Sequence, residues 1–310
     1  NENLDAYLTS KELIHLFART VGYGGGLTIN VGPAADGKIP LLQQERLEDL
    51  GAWIKINEEA IYASTTWKKP GEEKEVELKR IDPQIHFDWV RNSPGDPIEV
   101  DHFKAQWDGF IQADFTEEYT FSALADDGIR LYIDNKLVID RWEKNTGGTD
   151  SEAMNENRPD GLSGKILLEK GKKYPIKVEY HESLLEASIS LYWKSASQSE
   201  ALIPQKNLFS AIDIAHGDGL NATYSSMRQY VAYTHNHGNL YAIVFEWPDN
   251  NMLSLPVEKP VDGTKISLLG RKGFLPWSYS DGKLIIDLNG IGYNELPGHE
   301  AWTFKIENYR

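Results

Sequence analysis

The sequence contains no cysteine and no long apolar run. Without cysteine there is no disulfide framework, no thiolate metal ligand and no thiol nucleophile. No apolar stretch approaches the roughly 20 residues that would span a bilayer. Basic residues are also scarce, with 32 Lys and Arg against 47 Asp and Glu and a net charge of -15. This charge repels phosphate backbones and anionic lipids, so we expect neither nucleic acid nor a membrane surface as a partner.

The chain is long and contains many aromatic residues. The 310 residues indicate two to three modules rather than one core. Aromatic residues reach 11%, and their flat rings can cover sugar faces, although they more often fill β-sandwich cores. The chain begins at Asn1 without a basic n-region or an apolar h-region, so we expect a segment to precede it.

The first part of the chain has the pattern of helix, buried strand and helix. Thr9 and Glu12 have the spacing of a capping box, and a helical apolar pattern follows them. A short apolar run over 27–31 predicts a buried strand, and a second helix is expected from Pro40 to about Asn57. This alternation is typical of α/β units, and so few units cannot close a sheet. We therefore predict the tail of a larger α/β domain.

The pattern changes from about Trp67 onward. Residues 68–80 are rich in Lys and Glu, which indicates a linker or an edge. Short alternating segments bounded by turn residues then predict an all-β sandwich, a boundary within 204–220 and a second all-β region. The predicted strands are 103–111, 119–125, 129–133, 173–180, 187–194, 230–235, 239–245, 266–269, 284–288 and 301–306.

Four short motifs could carry function. The glycines of 22–26 lack the G-x-G-x-x-G spacing and follow a helix, so we interpret them as a helix stop. His235-Asn236-His237 fits a hairpin tip better than a metal site. Asp126-Asp127-Gly128 suits either a calcium ligand pair or an ordinary turn. Glu2 would face an active site only if residues 1–66 end a (β/α)8 barrel, and otherwise it is a solvated terminal residue.

Both ends of the chain resemble the α-L-fucosidases of glycoside hydrolase family 29. The N-terminal resemblance covers 21–33 with Asp36-Gly37 and 51–62, and the C-terminal one covers 240–243, Trp247-Pro248, 268–270, Trp277 and Ala301-Trp302. The resemblance implies a multidomain α/β plus all-β fold. Its parts would be the last βα units of a (β/α)8 barrel over 1–66, an inserted β-sandwich over 67–212 and a C-terminal antiparallel β-sandwich over 213–310.

The middle of the chain resembles the protective-antigen-type β-sandwich. The matching motifs are Trp107-Asp108-Gly109, 119–121, Asp126-Asp127-Gly128 and 139–142. In adhesins of this type two adjacent aspartates hold calcium, so the resemblance implies calcium ligands at Asp126 and Asp127 and a sugar contact at Trp142. The usual Gly-Leu-x-x-x-Tyr opening is not found near residue 72, and a similar string stands at 219–224 instead.

The fucosidase resemblance also implies a mechanism. Family 29 enzymes are retaining, with an Asp nucleophile that would lie before residue 1 and an acid/base that Glu2 would supply. Gly26 and Leu27 would wall the pocket around the fucose methyl. We expect no catalytic cofactor, a fucosylated oligosaccharide or glycoconjugate as substrate, the remainder of the barrel as partner, a secreted or periplasmic location and no activity of this chain alone. The alternatives are a calcium-dependent, non-catalytic glycan-binding fragment and a structural insertion that shapes the barrel mouth.

Overall fold

The structure, a computed structural model, describes residues 7–90, 92–142 and 163–309. Within these residues it is mostly β. The chain divides into two compact units, one made of the residues up to Lys74 and from Gln229 onward, the other of Glu75 to Arg228. We call the second unit the module. The polypeptide therefore leaves the first unit after Lys74 and returns to it at Gln229, while the three-domain division after 66 and 212 stays a prediction.

Two α-helices and eighteen strands make up the described chain. The helices are α1 (Ser10–Gly22) and α2 (Leu41–Ile61). The strands are β1 (Thr65–Asp82), β2 (His86–Val90), β3 (Phe103–Gln112), β4 (Glu117–Asp126), β5 (Gly128–Ile133), β6 (Lys136–Arg141), β7 (Ser163–Leu168), β8 (Lys173–His181), β9 (Ala187–Ser195), β10 (Gln198–Leu202), β11 (Leu208–Phe209), β12 (Leu220–Asn236), β13 (Asn239–Val244), β14 (Met252–Leu255), β15 (Ile266–Leu268), β16 (Trp277–Ser280), β17 (Lys283–Asp287) and β18 (Trp302–Ile306).

Helix α1 starts where its capping box predicts. The Thr9 hydroxyl accepts the Glu12 N–H at 3.2 Å, and the Glu12 carboxylate accepts the Thr9 N–H at 2.7 Å. Helix α2 runs past its predicted end near Asn57. Asn57 itself has non-helical dihedrals, and the helix continues beyond this residue to Ile61. Neither helix is long and apolar enough to cross a membrane.

The strand predicted over 27–31 is wrong in this structure. Among the described residues, 25–34 form neither helix nor strand, and Ile29 is 36% exposed. A strand needs a hydrogen-bonded neighbour, and the sheet strands of the first unit pair with one another instead. Only Leu27 of this run packs partly against the apolar core under the helices.

The first unit is a sheet covered on both faces. Its larger sheet has the order β15-β18-β13-β12, and β14, β17 and β16 form a second, three-stranded sheet. One face of the larger sheet packs on the smaller one, through residues such as Val231 and Phe304 against Leu255 and Ile286. The helices cover its other face at Ala232, Ile243, Phe245 and Ala301.

The module is a β-sandwich. One sheet has the order β12-β3-β8-β5-β6, with β11 also paired to β3, and the other has the order β10-β9-β4-β7, with β2 also paired to β9. Alternate residues of these strands point into one shared core, which contains Trp107, Tyr119, Tyr180 and Trp193. The ten strands predicted between residues 103 and 306, in the module and in the first unit, all form. Their ends differ from the predicted ones by a few residues, except that β12 starts earlier.

The segment 68–80 is not a linker. It lies within β1, which pairs with β12. At the end of β1 the buried Asp82 carboxylate accepts hydrogen bonds from the Trp107 indole at 2.8 Å and the Tyr224 hydroxyl at 2.5 Å, and it pairs with the Arg80 guanidinium at 2.7 Å. This network ties β1, β3 and β12 together inside the module.

Candidate functional site

The catalytic and pocket residues predicted in the first unit are only partly described. Glu2 lies outside the described residues. Gly26 and Leu27 lie in the segment after α1, where Gly26 is exposed and Leu27 is half-buried. Gly22 ends α1 and Gly24 has a positive φ of 80°, so the glycine cluster is the helix stop that the sequence predicts. Whether Gly26 and Leu27 contact a sugar stays a prediction.

The histidines at 235 and 237 belong to a hairpin tip, as predicted. Strand β12 ends at Asn236 and β13 starts at Asn239, and the two residues between them, His237 and Gly238, have positive φ values of 48° and 77°. Two left-handed residues are what a tight hairpin turn requires. His235 and His237 are therefore explained by the turn.

Asp126 and Asp127 lie between β4 and β5 of the module and are joined by a cis peptide bond. Asp127 is only 3% exposed, and its Oδ2 accepts the Ser183 N–H at 2.7 Å. The Asp126 carbonyl accepts a short hydrogen bond from the Tyr180 hydroxyl. The pair is therefore held by β8 and by the segment that follows it, which is a more specific arrangement than a free surface turn.

A third carboxyl, Glu182, lies close by and was not predicted from the sequence. It is 3% exposed, its Oε2 accepts the His102 N–H at 2.7 Å, and its buried Oε1 has no hydrogen-bond partner among the described residues. Burial raises the pKa of Glu182 to about 7, and the carboxylates of Asp101, Asp127 and Asp126 add to this rise. No sequence motif marks Glu182, because its burial and its nearness to the aspartates depend on the fold.

We call Asp101, Asp126, Asp127 and Glu182 the carboxylate cluster. Asp101, the Asp126–Asp127 pair and Glu182 come from three separate segments of the module. Asp101 is held by the Leu185 N–H, which donates to its carboxylate at 3.1 Å. The donors of the cluster are all oxygens, the ligand type that calcium prefers, and a cation would satisfy the unpaired Oε1 of Glu182. Among the described residues, however, no three Asp, Glu or His side chains come close enough together to hold a metal. The cluster therefore fits calcium only with further carbonyl or water ligands.

Trp142 lies beside the cluster and is held in place by His181. The two rings meet edge to face with centroids 4.7 Å apart, and His181 Nε2 donates to the Trp142 carbonyl at 2.8 Å. The Arg130 guanidinium lies 4.8 Å from the centre of the Trp142 ring. Residue 128 has to be glycine here, because a Cβ would lie 2.2 Å from His181 Nε2 and 2.6 Å from the Trp142 oxygen. Gly128 thus permits the packing that fixes Trp142.

Family models match three successive parts of the chain. The α-L-fucosidase model matches residues 1–59, the PA14 domain model matches 59–207, and the α-L-fucosidase C-terminal domain model matches 225–307. The PA14 match covers most of the module, and the other two cover segments of the first unit.

Two relatives of known sequence each match part of the chain. The anti-sigma-I factor RsgI3 of Acetivibrio thermocellus is 38% identical over 130 residues, which are 42% of this chain and 18% of that protein. Plasma α-L-fucosidase of Rattus norvegicus is 48% identical over 62 residues, 20% of this chain and 14% of that protein. The chain thus spans less than a fifth of the length of these curated relatives.

Among solved structures, the α-fucosidase of Thermotoga maritima aligns with 99% of this chain and 36% of its own chain, at 12% identity and a TM-score of 0.42. An anti-sigma factor domain-containing protein from Clostridium clariflavum aligns with 78% of this chain and 91% of its own, at 20% identity and a TM-score of 0.38. With TM-scores this low, neither alignment establishes a shared fold.

Proposed function

We propose, on the premise that this chain carries α-L-fucosidase family segments on both sides of a PA14 domain, that it is the C-terminal part of a retaining α-L-fucosidase. The observation that carries the proposal is the order of the matches, with the catalytic family at 1–59 and its C-terminal domain at 225–307. The substrate would be a glycan with terminal α-linked fucose, and the enzyme would be secreted or periplasmic.

The sequence position of Glu2 ahead of α1 is the basis for giving it a catalytic role. Thr9 caps this helix, so in the proposed barrel the residues before it would form a strand-to-helix loop. In a (β/α)8 barrel such loops lie at the C-terminal face, where active sites are built. We place Glu2 as the acid/base and the nucleophile on an earlier barrel strand outside this chain. In retaining glycosidases the two carboxyl groups stand roughly 5–5.5 Å apart.

The remainder of the barrel is the proposed partner of the segment after α1. Residues 25–34 are mostly exposed and without regular structure among the described residues, although their apolar pattern is that of a buried strand. In the longer enzyme this run would pair with neighbouring barrel strands and bring Gly26 and Leu27 to the pocket wall. Because it holds one of the two catalytic carboxyls at most, the chain alone is expected to be inactive.

Replacement of Glu2 in the full-length enzyme tests the assignment. Glu2→Ala should reduce turnover of fucosides with poor leaving groups at least about 100-fold, because these need protonation. Activated aryl fucosides should lose less, and azide should restore part of the rate on them. Glu48→Ala, which removes an exposed glutamate of α2, is the matched control and should leave turnover unchanged. Near-normal turnover of Glu2→Ala on both substrates would remove Glu2 from the mechanism.

The carboxylate cluster favours a second function for the module, calcium-dependent glycan binding. Two buried acids and an unpartnered oxygen next to a held tryptophan suit a cation that presents sugar hydroxyls beside an aromatic ring. Calorimetric titration of the chain with 2′-fucosyllactose should show tighter binding with calcium than with EDTA. Asp127→Asn should abolish the difference. Equal heats with and without calcium, or none at all, would exclude calcium-dependent glycan binding by the cluster.

A further inference from the structure

The outward face of one module sheet carries an ordered polar surface. Its strands β12, β3, β8 and β5 place outward side chains in three rows across the sheet, while the alternate residues are buried in the core. The first row is Ser225, Lys104 and His181, the second is Thr223, Gln106, Glu179 and Arg130, and the third is Asn221, Asp108, Lys177 and Tyr132. Rows two residues apart on a strand are separated by about 7 Å, so the three rows span about 13 Å.

The long polar side chains of this face hold one another. Gln106 Nε2 donates to Asp108 Oδ2 at 2.6 Å, and Lys177 Nζ pairs with Glu179 Oε1 at 2.6 Å. Arg130 Nε pairs with Asp140 Oδ1 of the adjacent β6 at 3.0 Å. Each side chain is thereby fixed by a neighbour and retains further donors or acceptors. Fixed hydrogen-bonding groups lose little conformational entropy when a ligand binds.

An aromatic ring lies toward each end of this surface. Trp142 packs against His181 of the first row, and Tyr132 belongs to the third row with the Lys177 ammonium 4.4 Å from its ring centre. Rings that lie among outward polar residues do not contribute to the sandwich core. Their positions suit contacts with a ligand that is apolar on its faces and polar at its edges.

The surface is concave. A depression of about 390 Å³ is lined by residues that include Lys104, Gln106, Glu179, Thr223 and Trp142. A second depression of about 300 Å³ shares Lys104 and Trp142 with it and extends toward His181 and Glu182. We call the three rows, together with these two depressions, the sheet trench.

The charges of the sheet trench exclude strongly charged ligands. Four cations, on Lys79, Lys104, Arg130 and Lys177, stand against the anions on Asp108, Glu179 and Asp140 with the Glu182 carboxyl at one margin, and the whole chain is strongly acidic. An anionic ligand would face the field of the protein, and a cationic one would find Glu179 and Asp140 already paired with Lys177 and Arg130 and Asp108 hydrogen-bonded to Gln106.

We propose that the sheet trench binds an extended, neutral oligosaccharide chain, and that it does so without a cation. A run of hydroxyls matches the rows of fixed donors and acceptors, and sugar faces match the rings at the two ends. The site adjoins the carboxylate cluster and shares Trp142 with the glycan site proposed there, but its rows of hydrogen-bonding groups lie on β12, β3, β8 and β5 and do not need calcium. The glycan class rests on the proposed function, while the binding itself does not require hydrolysis.

Native affinity electrophoresis of the 310-residue chain tests the proposal, with fucosylated xyloglucan, a neutral branched polysaccharide, cast in the gel together with EDTA. The expected result is retarded migration of the wild type. The double variant Gln106→Ala/Glu179→Ala should raise the apparent dissociation constant about tenfold or more, because two fixed partners are removed. The matched control Glu118→Ala/Ser122→Ala alters the outward face of the other sheet and should migrate as the wild type.

Each outcome decides the proposal. Retardation in EDTA that the trench variant loses and the control keeps supports it. Absence of retardation of the wild type, retardation only with calcium, or equal retardation of both variants overturns it. Circular dichroism and thermal melting of the variants identify a loss of fold. If the double variant does not fold, Gln106→Asn, which shortens one fixed partner, replaces it with the same expected direction. A failure here leaves the fucosidase proposal intact, because that proposal is measured by turnover of the full-length enzyme.

Discussion

Two polar regions of the module differ in how their charges are compensated. In the carboxylate cluster four acids from three segments lie together, and the Glu182 carboxyl keeps a buried oxygen without a partner among the described residues. In the sheet trench Lys177 is paired with Glu179 on the same strand and Arg130 with Asp140 on the adjacent strand, and Asp108 accepts a hydrogen bond from Gln106. We therefore expect pH and cations to act on the first region, and ligand shape and hydrogen bonding to act on the second.

The largest expected effect comes from a change that damages both regions. Gly128→Ala would put a Cβ 2.2 Å from the His181 ring and 2.6 Å from the Trp142 carbonyl oxygen. We expect a loss of about 3 kcal/mol in the free energy of unfolding of the module, because this site has no space for a methyl group. Urea unfolding followed by near-ultraviolet circular dichroism measures it. Gly26→Ala, where no atom lies within 4 Å of the added carbon, is the control with a change below about 0.5 kcal/mol.

Stabilisation by calcium should depend on the carboxylate cluster and not on the sheet trench. A cation that binds only the folded module at 100 times its dissociation constant stabilises it by about 2.7 kcal/mol. We expect calcium to raise the melting temperature, and to do so more at pH 8 than at pH 6, because Glu182 is ionised above its pKa of about 7. Asp127→Asn should remove most of the increase, while Gln106→Ala should leave it unchanged. An equal increase in wild type and Asp127→Asn would contradict a role of the cluster in cation binding.

The smallest expected effect is on the free energy of unfolding, measured in EDTA for variants of one glutamate from each region. The pKa of folded Glu182, about 7, lies above its ordinary value of 4.5, so the folded state binds the proton more tightly than the unfolded chain. Stability therefore falls as pH rises from about 4.5 to 7, and the loss is complete above that range. Glu182→Gln should raise stability at pH 8 by about 1 kcal/mol and give no comparable gain at pH 4.5.

Glu179→Gln in the sheet trench is the matched control for this measurement. Glu179 is paired with Lys177 near the surface, and such pairs contribute little, so the change should cost less than about 0.5 kcal/mol. If Glu182→Gln and Glu179→Gln behaved alike at pH 8, the distinction between a glutamate with a buried oxygen that lacks a partner among the described residues and a glutamate paired with a lysine would be wrong.

The strands and the first helix could be predicted because their information is local. Alternation of apolar residues in 103–111 and the spacing of Thr9 and Glu12 each determine an element without reference to distant residues. Strand β1 could not be predicted in this way, because Lys and Glu dominate its sequence and only Glu72, Gly71, Val76 and Asp82 are buried along it or at its end. Its pairing with β12 comes from a partner about 150 residues away.

Residues of the candidate site in the module could be predicted only where they belong to a recognisable sequence motif. Asp126, Asp127 and Trp142 stand in stretches that resemble a known module. In the structure Gly128 directly follows the two aspartates, and His181 is hydrogen-bonded to the Trp142 carbonyl. Glu182 and Asp101 carry no motif, and their grouping with the aspartates depends on how β8 and the loop before β3 meet. The apolar run 27–31 shows the opposite case, in which a local pattern predicts a strand but the described residues supply no partner for it.

The central claim, that this chain belongs to a retaining α-L-fucosidase, is tested most directly by proton NMR of the full-length enzyme as it hydrolyses 4-nitrophenyl α-L-fucoside. We expect α-L-fucose to appear first and the β-anomer to follow only by mutarotation. First appearance of β-L-fucose, or no hydrolysis of the fucoside, would contradict it.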